Sequence, residues 1–195
     1  MKREIKICIL LAAVLLAGPS CAHLPQKQPA VQSPGDAKKT EIAGILAKAD
    51  EYVAKGDFKN ALDFHKSAAE KYPGDGALEE GYIATVEKIK KAADLAFEKG
   101  DFTLSGKTYY LLLKSVPQSN DLSAGLSFTK KTLTQRLGEC RTALSQQALS
   151  QYREGNIESA ITLWKSILSF DPGNTSVKKA IDTATTQLQN LKKND

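Results

Sequence analysis

Residue types that support catalysis are scarce in this chain of 195 residues, which has two histidines, three cysteines and one tryptophan. His23 lies in a proline-rich segment and His65 at a helix-like position, and neither has a metal or nucleophile partner at a recognisable spacing. No glycine-rich loop follows a strand, because no segment shows convincing strand alternation. The sequence therefore predicts a protein that is not an enzyme and that holds no metal and no cofactor.

Proline is also scarce, and its distribution is informative. Four of the seven prolines precede residue 40, and the other three recur at one spacing. Each of the three lies seventeen residues after a glycine that is followed by Asp or Asn and then by an apolar residue. The pairs are Gly56 with Pro73, Gly100 with Pro117, and Gly155 with Pro172. Because proline cannot continue a helix and glycine ends one, the repeat predicts three pairs of helices joined by short turns.

Further positions repeat at the spacing of a helix face. A small residue follows each glycine by five positions and a ring follows it by nine, while an alanine precedes it by seven. The small residues are Ala61, Ser105 and Ala160, the rings are His65, Tyr109 and Trp164, and the alanines are Ala49, Ala93 and Ala148. These offsets fall near multiples of 3.6, which predicts that small residues line the contact between two helices and that rings fill the space beside them. The Asp or Asn after each glycine is predicted to cap the second helix.

This combination resembles the tetratricopeptide repeat, a helical hairpin whose usual period is about 34 residues. The resemblance covers about half of the chain, at about 42–73, 86–117 and 141–172, and a capping helix is predicted at about 174–193. The predicted fold is all-α, a short solenoid of three hairpins within residues 40–195. The alternative is an irregular helical bundle.

The spacing between copies is longer than the usual period. The glycines are separated by 44 residues (56 to 100) and by 55 residues (100 to 155). The extra residues between the copies have apolar residues at helix spacing. We therefore expect elongated first helices or an interposed helix. One helix from Asp121 to Glu154 would be ~50 Å long, and Gly125 and Gly138 are the points at which it would divide.

Residues 1–20 have the pattern of an export signal, with a basic start and an apolar run too short to span a bilayer. A small residue before Cys21 resembles the lipobox of bacterial lipoproteins, which implies that Cys21 is acylated. Cleavage after Ala22 is the alternative. Residues 21–39 are rich in proline and glutamine, which predicts a disordered tether. We expect attachment to the outer membrane through the lipid, with the folded part facing the periplasm.

The charge of the chain gives little reason to expect a nucleic-acid partner. Removal of three basic residues and one acidic residue with the signal reduces the totals of 27 and 22 to 24 and 21, a net charge of +3. Cys140 is then the one remaining internal cysteine, and its apolar neighbours at helix spacing predict a buried residue.

The resemblance implies a function and a surface. Tetratricopeptide domains bind protein or peptide segments in a groove formed by the first helix of each hairpin. Carried over to the matching positions, that groove consists of Asp50, Val53, Lys90, Asp94, Phe97, Leu149, Tyr152 and Arg153. The predicted function is a non-catalytic, membrane-anchored periplasmic scaffold that binds a protein or peptide partner in envelope, pilus or secretion assembly.

Two other hypotheses remain open from the sequence. The apolar spacing along 121–154 is also that of a coiled-coil seam, which would make the protein a self-associating structural lipoprotein. Tyr109, Tyr110 and Trp164 would instead line a pocket if the protein carried a small ligand.

Overall fold

The computed structural model describes residues 34–116 and 123–194, and every regular element in these two ranges is an α-helix. The predicted all-α class is therefore confirmed. The helices are α1 Pro34–Ala54, α2 Phe58–Lys71, α3 Gly76–Glu98, α4 Phe102–Ser115, α5 Lys130–Arg153, α6 Ile157–Leu168 and α7 Thr175–Asn194. Cys21, Pro117 and residues 1–33 lie outside the described residues.

The first six of these helices form three hairpins, each with a long first helix and a shorter second helix. The first helices α1, α3 and α5 have 21, 23 and 24 residues, and the second helices α2, α4 and α6 have 14, 14 and 12. The second helices also touch in succession, α2 with α4 and α4 with α6, and α7 packs on α6. All three first helices are therefore long, but most of the residues added before the third copy lie between the end of α4 at Ser115 and the start of α5 at Lys130.

The turn inside each hairpin depends on its glycine. Gly56, Gly100 and Gly155 have φ angles of 74°, 77° and 84°, in the left-handed region that glycine adopts without steric cost. Asp57 and Asp101 then cap the second helices, as predicted, by accepting from backbone N–H groups three residues on. Asn156 occupies the N-cap position of α6, but the predicted capping bond is not formed: its side chain accepts from no backbone N–H there, and its amide donates to Gln151 Oε1 at 3.2 Å.

Proline ends the second helices at the two places that the structure describes. α2 ends at Lys71, just before Pro73, and α6 ends at Leu168, ahead of Pro172. Both prolines are exposed, so they contribute through backbone geometry rather than through packing.

The helices of each hairpin cross at small side chains. Ala49 and Ala61 in the first hairpin, Ala93 and Ser105 in the second, and Ala148 and Ala160 in the third are all completely buried. In the second hairpin the Ser105 hydroxyl donates to the Ala93 carbonyl oxygen at 2.9 Å, which a side chain can do only across a close helix contact. The main core runs from Leu62 in the first hairpin through the second and third hairpins, and a separate small cluster of Ile42, Ala68 and Leu78 lies in the first part of the described chain.

The three rings predicted to fill space beside these crossings are buried. His65, Tyr109 and Trp164 are 3%, 1% and 5% exposed. Tyr109 and Trp164 belong to the core, and Tyr110 is half-buried against it. The rings of Tyr109, Tyr110 and Trp164 therefore pack against apolar side chains of this chain.

Contacts at a nearly constant offset show that α1 and α3 run in the same direction. Lys38 pairs with Asp75 at 2.9 Å, and Asp50 accepts from Lys88 at 2.5 Å. Along α3 and the segment that leads into α5, Glu87 accepts from the Ser127 backbone N–H and the Phe97 ring lies under Arg136. The offsets of 37, 38, 40 and 39 residues place successive hairpins side by side in the same orientation.

The folded region begins earlier than the sequence predicts. Residues 34–39 were expected in the tether, but α1 starts at Pro34. Proline is favourable at a helix start, where its missing N–H has no partner to lose. The Thr40 hydroxyl donates to the Asp36 carbonyl oxygen within α1, and Lys38 pairs with Asp75 at the start of α3. These contacts support the first turns of α1, which lie before its first buried apolar residue, Ile42.

The long helix considered for 121–154 is interrupted on the side of Gly125. Residues 125–128 form a turn and bends, and α5 then runs without a break through Gly138. The apolar stripe proposed as a coiled-coil seam is already occupied, since Leu133, Cys140 and Leu144 are at most 2% exposed within one chain. The stripe therefore packs α5 against other helices of the same chain, including α4 of the preceding hairpin, where Cys140 contacts Ser105.

One close contact joins the second and third hairpins. Gly106 in α4 faces the ring of Phe170, which follows α6 and is 1% exposed. A Cβ atom at Gly106 would lie 2.6 Å from the nearest ring carbon. The absence of a side chain at this position therefore lets Phe170 enter the core.

We expect Gly106→Ala to lower the free energy of unfolding by roughly 1–3 kcal/mol, because the new methyl group overpacks the Phe170 ring. Gly138→Ala is the matched control, since the nearest atom to its added Cβ is 3.8 Å away in the Arg141 side chain. It should raise stability by about 0.5–1 kcal/mol through helix propensity. Urea unfolding of both variants measures the difference, and equal effects would contradict the packing assigned to Phe170.

His65 lies in a buried site between α2 and α3. Its Nε2 is 2.8 Å from Thr85 Oγ1, and its ring packs edge-on against Tyr82 at 5.8 Å. Burial lowers the pKa of His65 below its ordinary value of 6.5, and the nearby carboxylate of Asp50 only partly opposes this shift. The folded chain therefore favours a neutral imidazole.

The depressed pKa of His65 fixes the sign of a pH effect. Below pH 6.5 the unfolded chain binds a proton at this residue more readily than the folded chain does, so the free energy of unfolding should fall as the pH decreases. Urea unfolding from about pH 7.5 to about pH 5.5 measures this slope. His65→Gln should flatten it and the His23→Gln control should not; an unchanged slope in His65→Gln would contradict the assignment.

Candidate partner-binding surface

The predicted groove residues of the first hairpin contribute to contacts within the chain. Asp50 is exposed, but its carboxylate accepts from Lys88 and so links α1 to α3. Val53 is half-buried and packs against the core. Asp50 thus links α1 to α3, while Val53 is partly covered by the core.

Lys90 and Asp94 form a polar cluster with the second helix of their own hairpin. Asp94 accepts from the Tyr109 hydroxyl at 2.5 Å and from Lys90 Nζ at 2.7 Å, and the Lys90 and Asp94 side chains are each 25% exposed. Burial, and then the hydrogen bond to Asp94, raise the pKa of Tyr109, so its hydroxyl keeps its proton and donates. Asp94 therefore joins α3 to α4.

Phe97 lies between α3, α4 and α5. Its ring meets the Phe102 ring edge-on at 5.2 Å, and the Arg136 guanidinium carbon lies 5.0 Å from its centroid. Arg136 also pairs with Glu139 at 2.9 Å. Phe97 is thus covered by groups from its own chain. Sequence reasoning missed Arg136, because nothing in its local pattern indicates which ring it covers.

Tyr152 connects the last hairpin to α7. Its ring centroid lies 5.8 Å from that of Trp164, and its hydroxyl donates to Gln187 Oε1. This residue is half-buried. The position predicted for partner binding therefore supports the packing of α5, α6 and α7.

Leu149 and Arg153 are the two predicted groove residues on α5 that are exposed to solvent. Leu149 is 43% exposed, and Arg153 is exposed and has no ion pair in the part of the chain that the structure describes. Because they are four residues apart, both lie on one face of α5. Thr142 and Gln146 continue the same exposed strip toward the start of the helix.

The position of this strip around α5 follows from the helical rotation of 100° per residue. Arg136 marks the side of α5 that contacts α3, and Tyr152 marks the side that contacts α7. Leu149 and Arg153 lie between these two sides and opposite the buried residue Leu144. The strip therefore faces outward between neighbouring first helices.

The corresponding strip on α3 differs from the predicted one. Lys91, Leu95 and Glu98 are exposed there, and Leu95 is 45% exposed. They lie opposite the buried residue Ile89, whereas Lys90 and Asp94 turn toward α4 and Phe97 toward α4 and α5. The exposed residues of α3 are thus displaced by about one residue along the sequence from the predicted ones, which is about 100° around the helix axis. We call the exposed strips of α3 and α5 the first-helix face: Lys91, Leu95, Glu98, Thr142, Gln146, Leu149 and Arg153.

The described residues offer few sites for other chemistry. Residues 34–116 and 123–194 contain no group of three or more side chains placed to hold a metal ion. No helix in these ranges has the length and apolar character needed to cross a bilayer. Cys140 is buried in the core, where its thiol contacts Ser105 Oγ at 3.5 Å and burial raises its pKa.

Comparison with known proteins identifies no relative. No family model, no curated protein and no solved structure matches the chain significantly.

Proposed function

We propose that this protein is a non-catalytic binding scaffold with a tetratricopeptide-like solenoid, and that a protein or peptide partner binds to its first-helix face. The observation that carries the proposal is the pair of exposed leucines, Leu95 and Leu149, on the outward strips of first helices that belong to successive, similarly oriented hairpins. Apolar side chains on a rigid, repeated helix face are suited to bind an extended or helical segment.

The charges beside the leucines favour a specific partner over non-specific adhesion. Arg153 is exposed without an ion pair among the described residues, and arginine is frequent among the residues that dominate protein interfaces. Lys91 and Glu98 add one charge of each sign on α3. A segment with apolar residues and at least one carboxylate would complement the α5 strip.

One departure from standard repeats bears on the shape of this face. α1 and α3 contact each other closely, whereas α3 and α5 meet mainly through side chains such as Phe97 and Arg136. The first helices are also longer than those of a repeat with the usual period of about 34 residues. The face is therefore proposed as two neighbouring strips, on α3 and on α5, that one partner can span.

We expect Leu95→Asp together with Leu149→Asp to abolish partner capture, because both changes place a charge in the centre of the proposed interface. The measurement is quantitative mass spectrometry of proteins that co-purify with the tagged chain from its native cells. Leu104→Asp is the matched control, since Leu104 is 48% exposed on the second helix α4. Loss of the same partners in the control, or their retention in the double variant with intact helical content, would contradict the proposal.

The proposed location rests on the sequence before residue 34. A lipid on Cys21 would tether the folded hairpins to a membrane surface and concentrate them near envelope partners. Acylation of Cys21 with export of the chain is therefore part of the proposal, and assembly of envelope, pilus or secretion structures is the process in which such a scaffold would act.

Cys21→Ser should move the chain from the membrane fraction to the soluble fraction of its native cells, because the thiol that carries the lipid is lost. Cys8→Ser is the control, as it changes the predicted signal and leaves Cys21 in place. Mass spectrometry of the mature N-terminus completes the test. An unmodified chain that begins at His23 would instead establish cleavage after Ala22 and contradict acylation.

A further inference from the structure

A cavity of about 530 Å³ lies between α2, the start of α3 and the end of α4. Leu62, Ala69, Leu78 and Tyr82 supply most of its apolar wall, and His65 also lines it. Leu62 and Leu78 are each 4% exposed. Its volume falls within the ~300–1,000 Å³ that is typical of sites for small organic ligands.

The wall of the cavity is fixed by hydrogen bonds between helices. The Tyr82 hydroxyl donates to the Ser115 carbonyl oxygen at 3.0 Å and so holds the end of α4 against α3. Burial raises the pKa of Tyr82 to about 12, so this hydroxyl stays protonated. His65 Nε2 is engaged with Thr85 on the other side. The cavity is therefore formed before any ligand enters.

One ring nitrogen of His65, the buried Nδ1, has no hydrogen-bond partner among the described residues. Buried polar groups normally have a partner, so this nitrogen requires an explanation such as a bound water or ligand. His65 lines the cavity, so the unsatisfied nitrogen belongs to a residue of the cavity wall.

The charges around the mouth are not balanced. The carboxylates of Asp63 and Asp75 already pair with Lys59 and Lys38. Lys66 and Lys114 have no carboxylate partner among the described residues. Glu79 is the one other acidic residue that lines the cavity, so the unpaired groups leave an excess of positive charge.

We propose that this cavity binds a single-chain organic carboxylate, with its apolar chain on Leu62, Leu78 and Tyr82 and its carboxylate near Lys66 and Lys114. An apolar wall below a cationic mouth matches a molecule with an apolar body and one terminal negative charge. The site is separate from the first-helix face, so the inference goes beyond the protein-binding function and does not depend on it.

The test is isothermal titration calorimetry of the purified chain with dodecanoate, below the concentration at which it forms micelles. We expect saturable binding with one site per chain. Dodecyltrimethylammonium has the same chain and the opposite charge, and it should bind at least about tenfold more weakly. Absence of saturable dodecanoate binding, or equal binding of the two compounds, would overturn the proposal.

Variants locate the site. Ala69 is exposed at the edge of the cavity, so Ala69→Phe should fill the entrance and weaken dodecanoate binding about tenfold or more. Ala84→Phe is the matched control, because Ala84 is exposed on α3 and does not line the cavity. Lys66→Glu with Lys114→Glu should weaken binding to a similar degree. Circular dichroism verifies that each variant is folded, and unchanged affinity in folded Ala69→Phe would place any binding elsewhere.

The two proposals can fail independently. Leu95→Asp with Leu149→Asp should leave dodecanoate affinity unchanged, because neither leucine lines the cavity. A parallel loss of dodecanoate binding in that variant would contradict a separate site.

Discussion

In each hairpin, two small side chains lie where the first and second helices cross, and the rest of the fold depends on this close approach. The six residues involved are all completely buried. The Ser105 hydroxyl reaches the Ala93 carbonyl oxygen across the crossing in the second hairpin. A larger side chain at any of these positions would separate the helices, and the rings of Tyr109 and Trp164 would then lose the contacts that bury them.

The close approach also determines which surfaces remain free. The inner sides of α3 and α5 are covered by the second helix of their own hairpin and by that of the preceding hairpin, while side chains on their flanks reach other neighbouring helices. Arg136 over Phe97 and Tyr152 beside Gln187 are such flank contacts. What remains uncovered is the outward strip that carries Leu95 and Leu149. The face proposed for partner binding is thus the part of these helices that the packing leaves uncovered.

The local features of this fold could be predicted from the sequence. The glycine turns, the aspartate caps and the ends of the second helices depend on residues within a few positions of each other, so their spacing specifies them. Two other features depend on contacts between distant residues. The start of α1 at Pro34 is supported by Lys38 and Asp75, and Gly106 receives a ring 64 residues later in the chain, from Phe170. Nothing in a single helix pattern identifies these partners.

The first-helix face was predicted only in part, because the exposure of its residues also depends on contacts between residues distant in the sequence. Leu149 and Arg153 were assigned to it, and both are exposed. On α3 the prediction chose Lys90, Asp94 and Phe97, while the exposed residues are their neighbours Lys91, Leu95 and Glu98. A rotation of about 100° per residue separates these choices. Asp94 and Phe97 are partly covered because Asp94 accepts from the Tyr109 hydroxyl and Arg136 lies over the Phe97 ring, and neither contact has a signature in the sequence.

Site-specific photo-crosslinking in native cells would show whether a protein segment binds across the outward strips of α3 and α5. A benzophenone side chain would replace Leu95 or Leu149, and Leu104 on α4 would carry the same probe as the reference position. We expect one and the same partner to crosslink from Leu95 and from Leu149 and not from Leu104. Crosslinks of that partner from Leu104 alone, or no partner from either first-helix position, would contradict binding at this face.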